Sequence, residues 1–422
     1  MIYIFYLVAF SGLLYFSIKK RTPDGFLLAF FSALVYFLPG FFGYVNEPYA
    51  PNFREAVEIE AEVYVIYIMV LLGLLASAGI WDHMFKPIKP FPIFSGEKTP
   101  VLDGVMMVIL LSLLVVVAPS YSDTIFSDDK HIMMRDLPYL HKFFMLYAGL
   151  AGILFLIKKR YWLVLLCVAV LAWDIYVGFR SRAAFFVIAA VLVWVYSLGP
   201  TRLLSQWRAG AVGLTIAVFF FNYKNVYGDV KRGDYARAID RFFSLDGLSA
   251  SVLRSEPFTI QATLNRIVRE SFVIPGRVIF DQAVAIFPFS RSMGASVEKF
   301  NDKFQQELFP DLTFGMAANW WAYWLAGLGW AGVFLGFAIL ILGCLFVNIL
   351  LRSNSLILSA MGAMVASLWL FYIHRNDFLF TFGYVFQTIF LALATLFSVV
   401  LFHGLLSANS RPFESRSRRE GS

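Results

Sequence analysis

The residues of this chain best suited to chemistry are arginines that lie beside apolar segments or within one long polar stretch, roughly Asn222–Asp311. A guanidinium group matches two phosphate oxygens with parallel hydrogen bonds, so several arginines at one place predict a diphosphate site. Six arginines are candidates for this role. They are Arg180, Arg182, Arg266, Arg269, Arg277 and Arg375.

Transfer of a group onto a hydroxyl also needs a general base, which typically contributes about 10² to 10⁴ in rate. The turn His374-Arg375-Asn376-Asp377 joins the last two apolar segments and places an imidazole and a carboxylate beside a cation. In falling order of preference, the candidate bases are Asp377, Glu256, His374 and Glu270. A polar turn is also an ordinary way to join two apolar helices, so a structural role for it stays open.

The arginines have structural interpretations as well. Arg180 and Arg182 follow an apolar segment with no room for a loop, and they either extend to lipid headgroups or pair with Asp174, which lies deeper. Arg266 either binds substrate or forms a solvated i,i+4 pair with Glu270. Both interpretations of each arginine are kept.

Four aromatic residues lie at the start of the ninth apolar segment. They are Trp320, Trp321, Tyr323 and Trp324. An aromatic belt at the membrane interface is the first interpretation, because Trp and Tyr are enriched there. Stacking against a sugar ring is the second interpretation.

Neither a metal nor another cofactor is predicted from the sequence. The chain contains no Asp-x-Asp pair, the adjacent Asp128 and Asp129 are isolated, and the five histidines are dispersed. No glycine-rich phosphate-binding signature follows a strand. We therefore expect the energy of any reaction to come with the substrate.

The composition predicts an integral membrane protein of the all-α class. Of 422 residues, 59% are hydrophobic and 15% are charged, whereas soluble domains are about 25% charged. Apolar runs long enough to cross about 30 Å of hydrocarbon as helices recur along the chain. We predict about eleven spans: Ile2–Ile18, Phe26–Tyr44, Val63–Trp81, Val101–Ala118, Phe143–Ile157, Tyr161–Gly178, Ala183–Leu198, Ala209–Phe221, Trp320–Leu345, Ser355–Ile373 and Phe378–Phe402. Cys167 and Cys344 both fall inside spans, where a structural disulfide is not expected.

Charge bias predicts the orientation, because cationic short loops are retained on the cytoplasmic side. The basic loops alternate along the chain onto one face, and the acidic loops and the long polar stretch fall on the other. We therefore expect a multi-pass membrane protein, with the long stretch on the outer face and the C-terminus cytoplasmic. Insertion topology also explains the net charge of +7, so no nucleic-acid partner is predicted.

Four regions follow from this topology. They are an N-terminal bundle of about eight spans (1–221), a large periplasmic loop (222–312), three C-terminal spans (313–403) and a disordered cytoplasmic tail (404–422). Within the loop, the sequence predicts an amphipathic helix over Asp234–Phe243 and a second helix that starts at Ser255-Glu256-Pro257. A third segment, Arg277–Pro288, is predicted to lie along the outer interface.

The chain resembles the Wzy family, the polytopic polymerases of O-antigen and related oligosaccharide repeat units. The resemblance covers most of the chain and rests on short-looped spans around one large outer loop. The sequence features that carry it are Gly178-Phe-Arg180-Ser-Arg182, Pro288-Phe289, Gly315-Met-Ala-Ala-Asn-Trp-Trp-Ala-Tyr-Trp-Leu-Ala-Gly327-Leu-Gly329-Trp and Arg375-Asn-Asp377.

The resemblance implies transfer of a growing glycan from undecaprenyl diphosphate onto a fresh lipid-linked repeat unit at the periplasmic leaflet. It implies the bacterial inner membrane as the location, with the long stretch periplasmic. It also implies lipid-linked glycans and the bilayer as partners, and it leaves room for a chain-length regulator protein. The related ligases place a histidine as base, and no loop histidine here matches it. An O-antigen ligase, a lipid-linked oligosaccharide flippase and a multispanning acyltransferase stay open as alternatives; the flippase is disfavoured because no internal repeat is visible.

Overall fold

The fold was taken from a computed structural model, which describes residues 1–50, 53–85, 100–121, 139–177, 179–207, 210–211, 213, 215, 226, 228–230, 232–244, 255–286, 298–312 and 316–409. Several sequence predictions lie outside these residues. They include most of the span Ala209–Phe221, the acids Asp128 and Asp129, the pair Pro288-Phe289 and the tail beyond residue 409.

Most of the described chain is helical, because long apolar runs can satisfy their backbone hydrogen bonds in lipid only as helices or closed barrels. The apolar helices are α1 Ile2–Ile18, α2 Gly25–Tyr36, α4 Ala61–Met84, α5 Pro100–Val117, α6 Tyr139–Ile157, α7 Tyr161–Val177, α8 Ser181–Ser197, α13 Trp320–Leu351, α14 Leu356–Val365 and α15 Phe378–Asn409. The shorter helices are α3 Pro39–Phe42, α9 Tyr235–Phe243, α10 Glu256–Arg269, α11 Gly276–Ala285 and α12 Phe300–Leu308. A π-helical turn, Ala366–Phe371, and a 3₁₀ turn, Ile373–Arg375, follow α14.

The prediction of a membrane-embedded helical protein is confirmed. Among the described residues, six helical segments are long and apolar enough to cross a membrane: Ala61–Met84, Pro100–Val117, Leu140–Ile157, Trp320–Leu351, Leu356–Arg375 and Phe378–Leu405. Ile2–Ile18, Gly25–Tyr36, Tyr161–Tyr176 and Ser181–Ser197 are shorter apolar helices. Each predicted span except the eighth overlaps one of these ten segments, and the count of eleven stays a prediction.

A β-hairpin adds to the predicted all-α architecture. The second predicted span, Phe26–Tyr44, ends early, because the helix stops at Tyr36 and Gly43 adopts a left-handed φ of 81°. The chain then forms strands β1 Tyr44–Ala50 and β2 Phe53–Glu58, which pair antiparallel with Glu47 opposite Glu55. Charge bias in the sequence predicts only an acidic outer loop for this stretch.

A break in α13 changes the predicted ninth span. Gly329 has φ 61° and ψ −148°, which are not helical angles. The indole Nε1 of Trp320 donates to the carbonyl of Gly336 at 3.2 Å, whereas sixteen residues of straight helix would extend about 24 Å. The segment before Gly329 therefore folds back against the helix that follows it.

Close helix packing depends on glycine at a few places. A Cβ at Gly12 would lie 2.1 Å from the Phe30 ring, and one at Gly73 would lie 2.2 Å from the Phe337 ring. Both glycines therefore admit an aromatic ring against the helix backbone. Small residues commonly permit such approach between membrane helices.

The bundle has two ends with different polar groups. We call one the hairpin end; it carries the β-hairpin, the start of α8 and the turn 373–377. We call the other the basic end; it carries the end of α1, the start of α2 and the ends of α4 and α13. Helix α4 connects them, and its 24 residues separate the two ends by about 36 Å.

Both helices predicted within the polar stretch are confirmed: the one over Asp234–Phe243 and the one that starts at Ser255-Glu256-Pro257. Helix α9 begins after Asp234, whose carboxylate accepts from the backbone N–H of Arg237 at 3.2 Å. Helix α10 begins after Ser255, although the Ser255 hydroxyl makes no capping hydrogen bond. Helix α11 packs onto the bundle, where the backbone N–H of Ile274, just before it, donates to the carbonyl of Ala326 at 2.9 Å.

Candidate active site at the hairpin end

Helix α10 lies across the hairpin end and is anchored there by buried polar side chains. Asn265 accepts a hydrogen bond from the backbone N–H of Glu60 at 2.8 Å and donates to the carbonyl of Glu58 at 2.9 Å. Gln261 accepts from the hydroxyl of Tyr67 at 2.9 Å. Because buried polar groups need partners, these bonds fix both the position and the rotation of α10.

The first turn of α10 places a carboxylate beside the turn that joins α14 to α15. Glu256 Oε1 lies 3.0 Å from Arg375 Nη2, and both side chains are partly exposed. The Arg375 guanidinium lies 4.8 Å from the centre of the Tyr372 ring. Glu256 also lies in the first turn of α10, near the positive end of the helix dipole. A cation and a carboxylate from distant parts of the chain thus meet at the protein surface.

Asp377 lies in the same turn and is buried. Its Oδ1 accepts from the backbone N–H of Phe380 at 2.8 Å, so the side chain caps the start of α15. Burial raises the pKa of Asp377 from its ordinary value of 3.8 to about 6. A carboxyl group with a pKa in that range can exchange a proton near neutral pH. The structure therefore gives Asp377 a structural role and a chemically useful pKa.

His374 is fully buried between aromatic rings. Its Nδ1 lies 3.1 Å from the indole Nε1 of Trp321, which donates to it. The ring centres of Tyr36 and Phe37 lie 5.8 Å and 5.2 Å from the imidazole. A substrate hydroxyl has no direct access to His374 in this arrangement.

The aromatic residues before Gly329 are part of the core. Trp320, Trp321 and Tyr323 have no exposed surface, and Trp324 is 3% exposed. Both interpretations from the sequence, a lipid-facing belt and a sugar-stacking surface, are wrong for this conformation. The fold-back at Gly329 is the reason, because it encloses these rings between helices.

The last turn of α10 places two arginines on the β-hairpin. Arg269 Nη2 lies 2.9 Å and 3.0 Å from the two carboxylate oxygens of Glu47, and Arg266 Nη1 contacts the same carboxylate. Glu270 is a weaker partner, since its Oε1 lies 3.4 Å from Arg266 Nε. The predicted i,i+4 pair is therefore present, but the buried Glu47 is the principal partner.

These two arginines line a cavity of about 340 Å³. Its other lining residues are Glu47, Tyr49, Glu55 and Val57. The two guanidinium groups face two carboxylates across it, so the cavity carries no net formal charge. A diphosphate would have to displace Glu47 from both arginines to bind there.

Arg182 lies deeper, at the start of α8. Its Nη1 donates to Asp174 Oδ1 at 2.8 Å and lies 3.0 Å from Nε2 of His141. All three side chains are at most 5% exposed. The predicted partnership with Asp174 is confirmed, and the interpretation that Arg182 extends to lipid headgroups is wrong. Arg180 directly precedes α8 and is half-buried.

The six candidate arginines do not share one site. Arg266 and Arg269 lie at the opposite end of α10 from the pair of Glu256 with Arg375, and fourteen helical residues extend about 20 Å. Arg277 is exposed and lies 3.5 Å from Asp281, one helical turn away. Glu270 lies with the Arg266 group, away from the candidate bases of the 373–377 turn.

Two residues of these clusters were missed in the sequence. Glu47 lies in a stretch that charge bias predicts to be an acidic outer loop, and that bias does not indicate its burial beside Arg266 and Arg269. His141 lies at the start of an apolar segment. Because an ionisable side chain at membrane depth is costly, its position in the sequence indicates a residue that needs a polar partner inside the protein.

Comparisons with protein-family models, with curated proteins and with solved structures found no match.

Proposed function

We propose that this protein is a membrane glycan transferase that acts at its hairpin end on a glycan linked to a polyprenyl diphosphate. In the reaction, the hydroxyl oxygen of an acceptor glycan bonds to the anomeric carbon of the donor. The bond between that carbon and the diphosphate oxygen breaks, and the polyprenyl diphosphate leaves with the bonding electrons. The acceptor is a second lipid-linked repeat unit, as the resemblance to the Wzy family implies.

The ion pair between Glu256 and Arg375 is the observation that carries this proposal. Its atoms lie 3.0 Å apart, and the side chains are 31% and 25% exposed. Both groups are therefore within reach of a substrate at the protein surface. The pair also combines the two functions that the reaction requires, a cation for the leaving diphosphate and a carboxylate for the proton of the hydroxyl.

In the proposed mechanism, the diphosphate replaces Glu256 as the partner of Arg375. Guanidinium groups bind phosphate oxygens bidentately, so Arg375 offsets the charge that develops on the leaving group. Glu256, released from the ion pair, accepts the proton of the attacking hydroxyl. Asp377 caps α15 and so holds the turn that carries Arg375.

The other candidate bases are less suited to this step. His374 is enclosed by aromatic rings, and Glu270 lies beside Arg266 and Arg269 at the far end of α10. Among the candidate arginines, Arg182 is held by the buried Asp174 and is therefore less available to a diphosphate than Arg375. We therefore assign Glu256 as the base in place of Asp377, because Glu256 is the more exposed of the two carboxylates.

The test uses the full chain in lipid nanodiscs with a synthetic polyprenyl-diphosphate repeat unit. Chain lengthening is followed by gel separation of the labelled glycan. Arg375→Ala should slow transfer by about 10² to 10³, and Glu256→Gln by about 10² to 10⁴. Arg277→Ala is the matched control, because it removes an exposed arginine at the same end and should leave the rate unchanged.

Exchanging the charges of Glu256 and Arg375 distinguishes a catalytic role of the ion pair from a purely structural role. The double variant Glu256→Arg with Arg375→Glu restores an ion pair with reversed positions. If the pair is structural only, this variant should recover both stability and transfer. The proposal requires that stability recovers while transfer stays lost, and full activity in either single variant would contradict it.

A further inference from the structure

A second polar cavity lies at the basic end of the bundle. It has a volume of about 80 Å³, several times the roughly 10–15 Å³ that one water molecule requires. Among its lining residues are four cations and two carboxylates, which give a net formal charge of +2. The cations are Lys19, Lys20, Arg21 and Arg352, and the carboxylates are Asp24 and Asp82.

The two carboxylates of this cavity already have partners. Arg21 Nη2 lies 2.8 Å from Asp24 and 3.3 Å from Asp82, and Lys19 lies 3.4 Å from Asp82. Lys20 and Arg352 form no ion pair with any residue that the structure describes. Arg352 instead lies over an aromatic ring, 4.6 Å from the centre of Trp81. The excess positive charge therefore belongs to Lys20 and Arg352.

Buried donors without acceptors line the same cavity. Arg21 is 4% exposed, and its Nε and Nη1 have no hydrogen-bond partner within the described part of the chain. The hydroxyl of Thr22 also lacks a partner among these residues. Buried polar groups in folded proteins nearly always have partners, so these three atoms point to an acceptor supplied from outside the protein.

We propose that this cavity binds a phosphate group, with Lys20, Arg21, Thr22 and Arg352 as its ligands. A guanidinium fork, two further cations and a hydroxyl match an anion that has several acceptor oxygens. Trp81 beside the cavity is a residue type enriched at the membrane interface, where lipid headgroups lie. Basic pockets between membrane helices are known to hold such headgroups. The phosphate comes either from an anionic lipid or from free phosphate, and the site does not depend on the proposed glycan transfer.

The experiment compares these two sources with the full chain in phosphatidylcholine nanodiscs. In one arm, phosphatidylglycerol is added to the nanodiscs, and lipid retained by the protein is counted by native mass spectrometry. In the other arm, inorganic phosphate is titrated, and the shift of the melting temperature is followed. The test variant is Lys20→Gln with Arg352→Gln, which leaves both ion pairs of Arg21 in place.

Arg202→Gln is the matched control. Arg202 adjoins Thr201, which pairs with the backbone of Arg21, and it is exposed outside the cavity. We expect saturable binding in at least one arm, weakened at least ten-fold in the double variant and unchanged in Arg202→Gln. Retention of phosphatidylglycerol alone identifies a lipid site, and saturation by phosphate alone identifies a site for the free ion.

Three results would overturn the proposal. They are no saturable binding in either arm, equal binding by the double variant and the parent, and an equal loss in Arg202→Gln. The double variant should elute at the parent's volume on size exclusion. A melting temperature in phosphate-free phosphatidylcholine that falls no further than loss of the Arg352 ring contacts explains shows that lost binding does not reflect misfolding.

Discussion

Four arginines at the hairpin end each lie within ion-pair distance of a carboxylate, whereas two cations at the basic end have no such partner among the described residues. The paired arginines are Arg182, Arg266, Arg269 and Arg375. The unpaired cations are Lys20 and Arg352. Carboxylates therefore compensate the four arginines of the hairpin end, and the uncompensated positive charge among these residues lies at the basic end.

This difference shows that the number of arginines is a poor measure of anion affinity. A guanidinium group that already binds a buried carboxylate must lose that partner before it binds a phosphate. Arg375 is the best placed of the four for such an exchange, because its partner Glu256 is 31% exposed, whereas Glu47 and Asp174 are buried. The comparison thus selects one arginine from a group that the sequence could not rank.

The largest stability effect is expected from Asp174→Asn. This change leaves the buried Arg182 without a carboxylate, and such losses cost about 3–5 kcal/mol. The measurement is the free energy of unfolding in mixed micelles. A variant as stable as the parent would show that Asp174 does not hold Arg182. The difference between paired arginines at the hairpin end and unpaired cations at the basic end would then not apply to Arg182.

A pH effect of about 3 kcal/mol is expected from Asp377. Its pKa is 3.8 as an ordinary carboxyl and about 6 in the fold, and one unit corresponds to about 1.4 kcal/mol. The folded state therefore binds the proton more tightly than the unfolded state. The stabilisation is fully present below pH 3.8 and is lost as the pH rises through about 6.

Asp377→Asn tests this linkage, because asparagine also caps helices. The difference in unfolding free energy between parent and variant should change between pH 4 and pH 7, with the parent losing stability relative to the variant. Parallel pH profiles of the two proteins would contradict a raised pKa of Asp377.

Glu47→Gln should have an intermediate effect on stability. It removes the shared partner of Arg266 and Arg269, whose side chains are 30% exposed. Water can replace part of the lost interaction, so the expected cost is about 1–3 kcal/mol, between the values for buried and surface pairs. Hydrogen exchange of the β-hairpin and α10 measures this loss of stability locally. Unchanged protection in both elements would show that the contacts of Glu47 with Arg266 and Arg269 do not hold the hairpin to α10.

The smallest effect is expected at the basic end. Arg352→Gln removes a cation with no ion pair in the described structure and loses its contacts with the rings of Trp81 and Phe85, of which an exposed one is worth about 0.5–1 kcal/mol. The melting temperature in phosphatidylcholine nanodiscs without phosphate measures this cost. A loss as large as that of Asp174→Asn would mean that Arg352 is held as firmly as the arginines of the hairpin end.

Predictions from the sequence succeeded where the interacting groups are close along the chain. Asp174 and Arg182 are eight residues apart at a helix junction, and Arg266 and Glu270 are one helical turn apart. A short turn between two helices brings the first pair together, and helical geometry brings the second pair together. The start of α10 was predicted for the same reason, because capping signals are local.

Predictions failed where a single backbone feature redirects the chain. Gly43 and Gly329 both adopt a positive φ, and each ends or breaks a helix that hydropathy alone would continue. The hairpin after Gly43 supplies Glu47 to α10, and the fold-back at Gly329 buries the aromatic residues. Hydropathy reports how apolar a segment is and does not report its direction.

The sequence by itself determined that this protein lives in a membrane, where most of its helices lie, and which arginines are available. These properties follow from apolar length and helical period, which are local. Only the tertiary structure decided that Glu47 binds Arg269, 222 residues away, and that Glu256 meets Arg375. These partners depend on how α10 lies across the bundle, and that placement results from buried hydrogen bonds between segments remote in the chain.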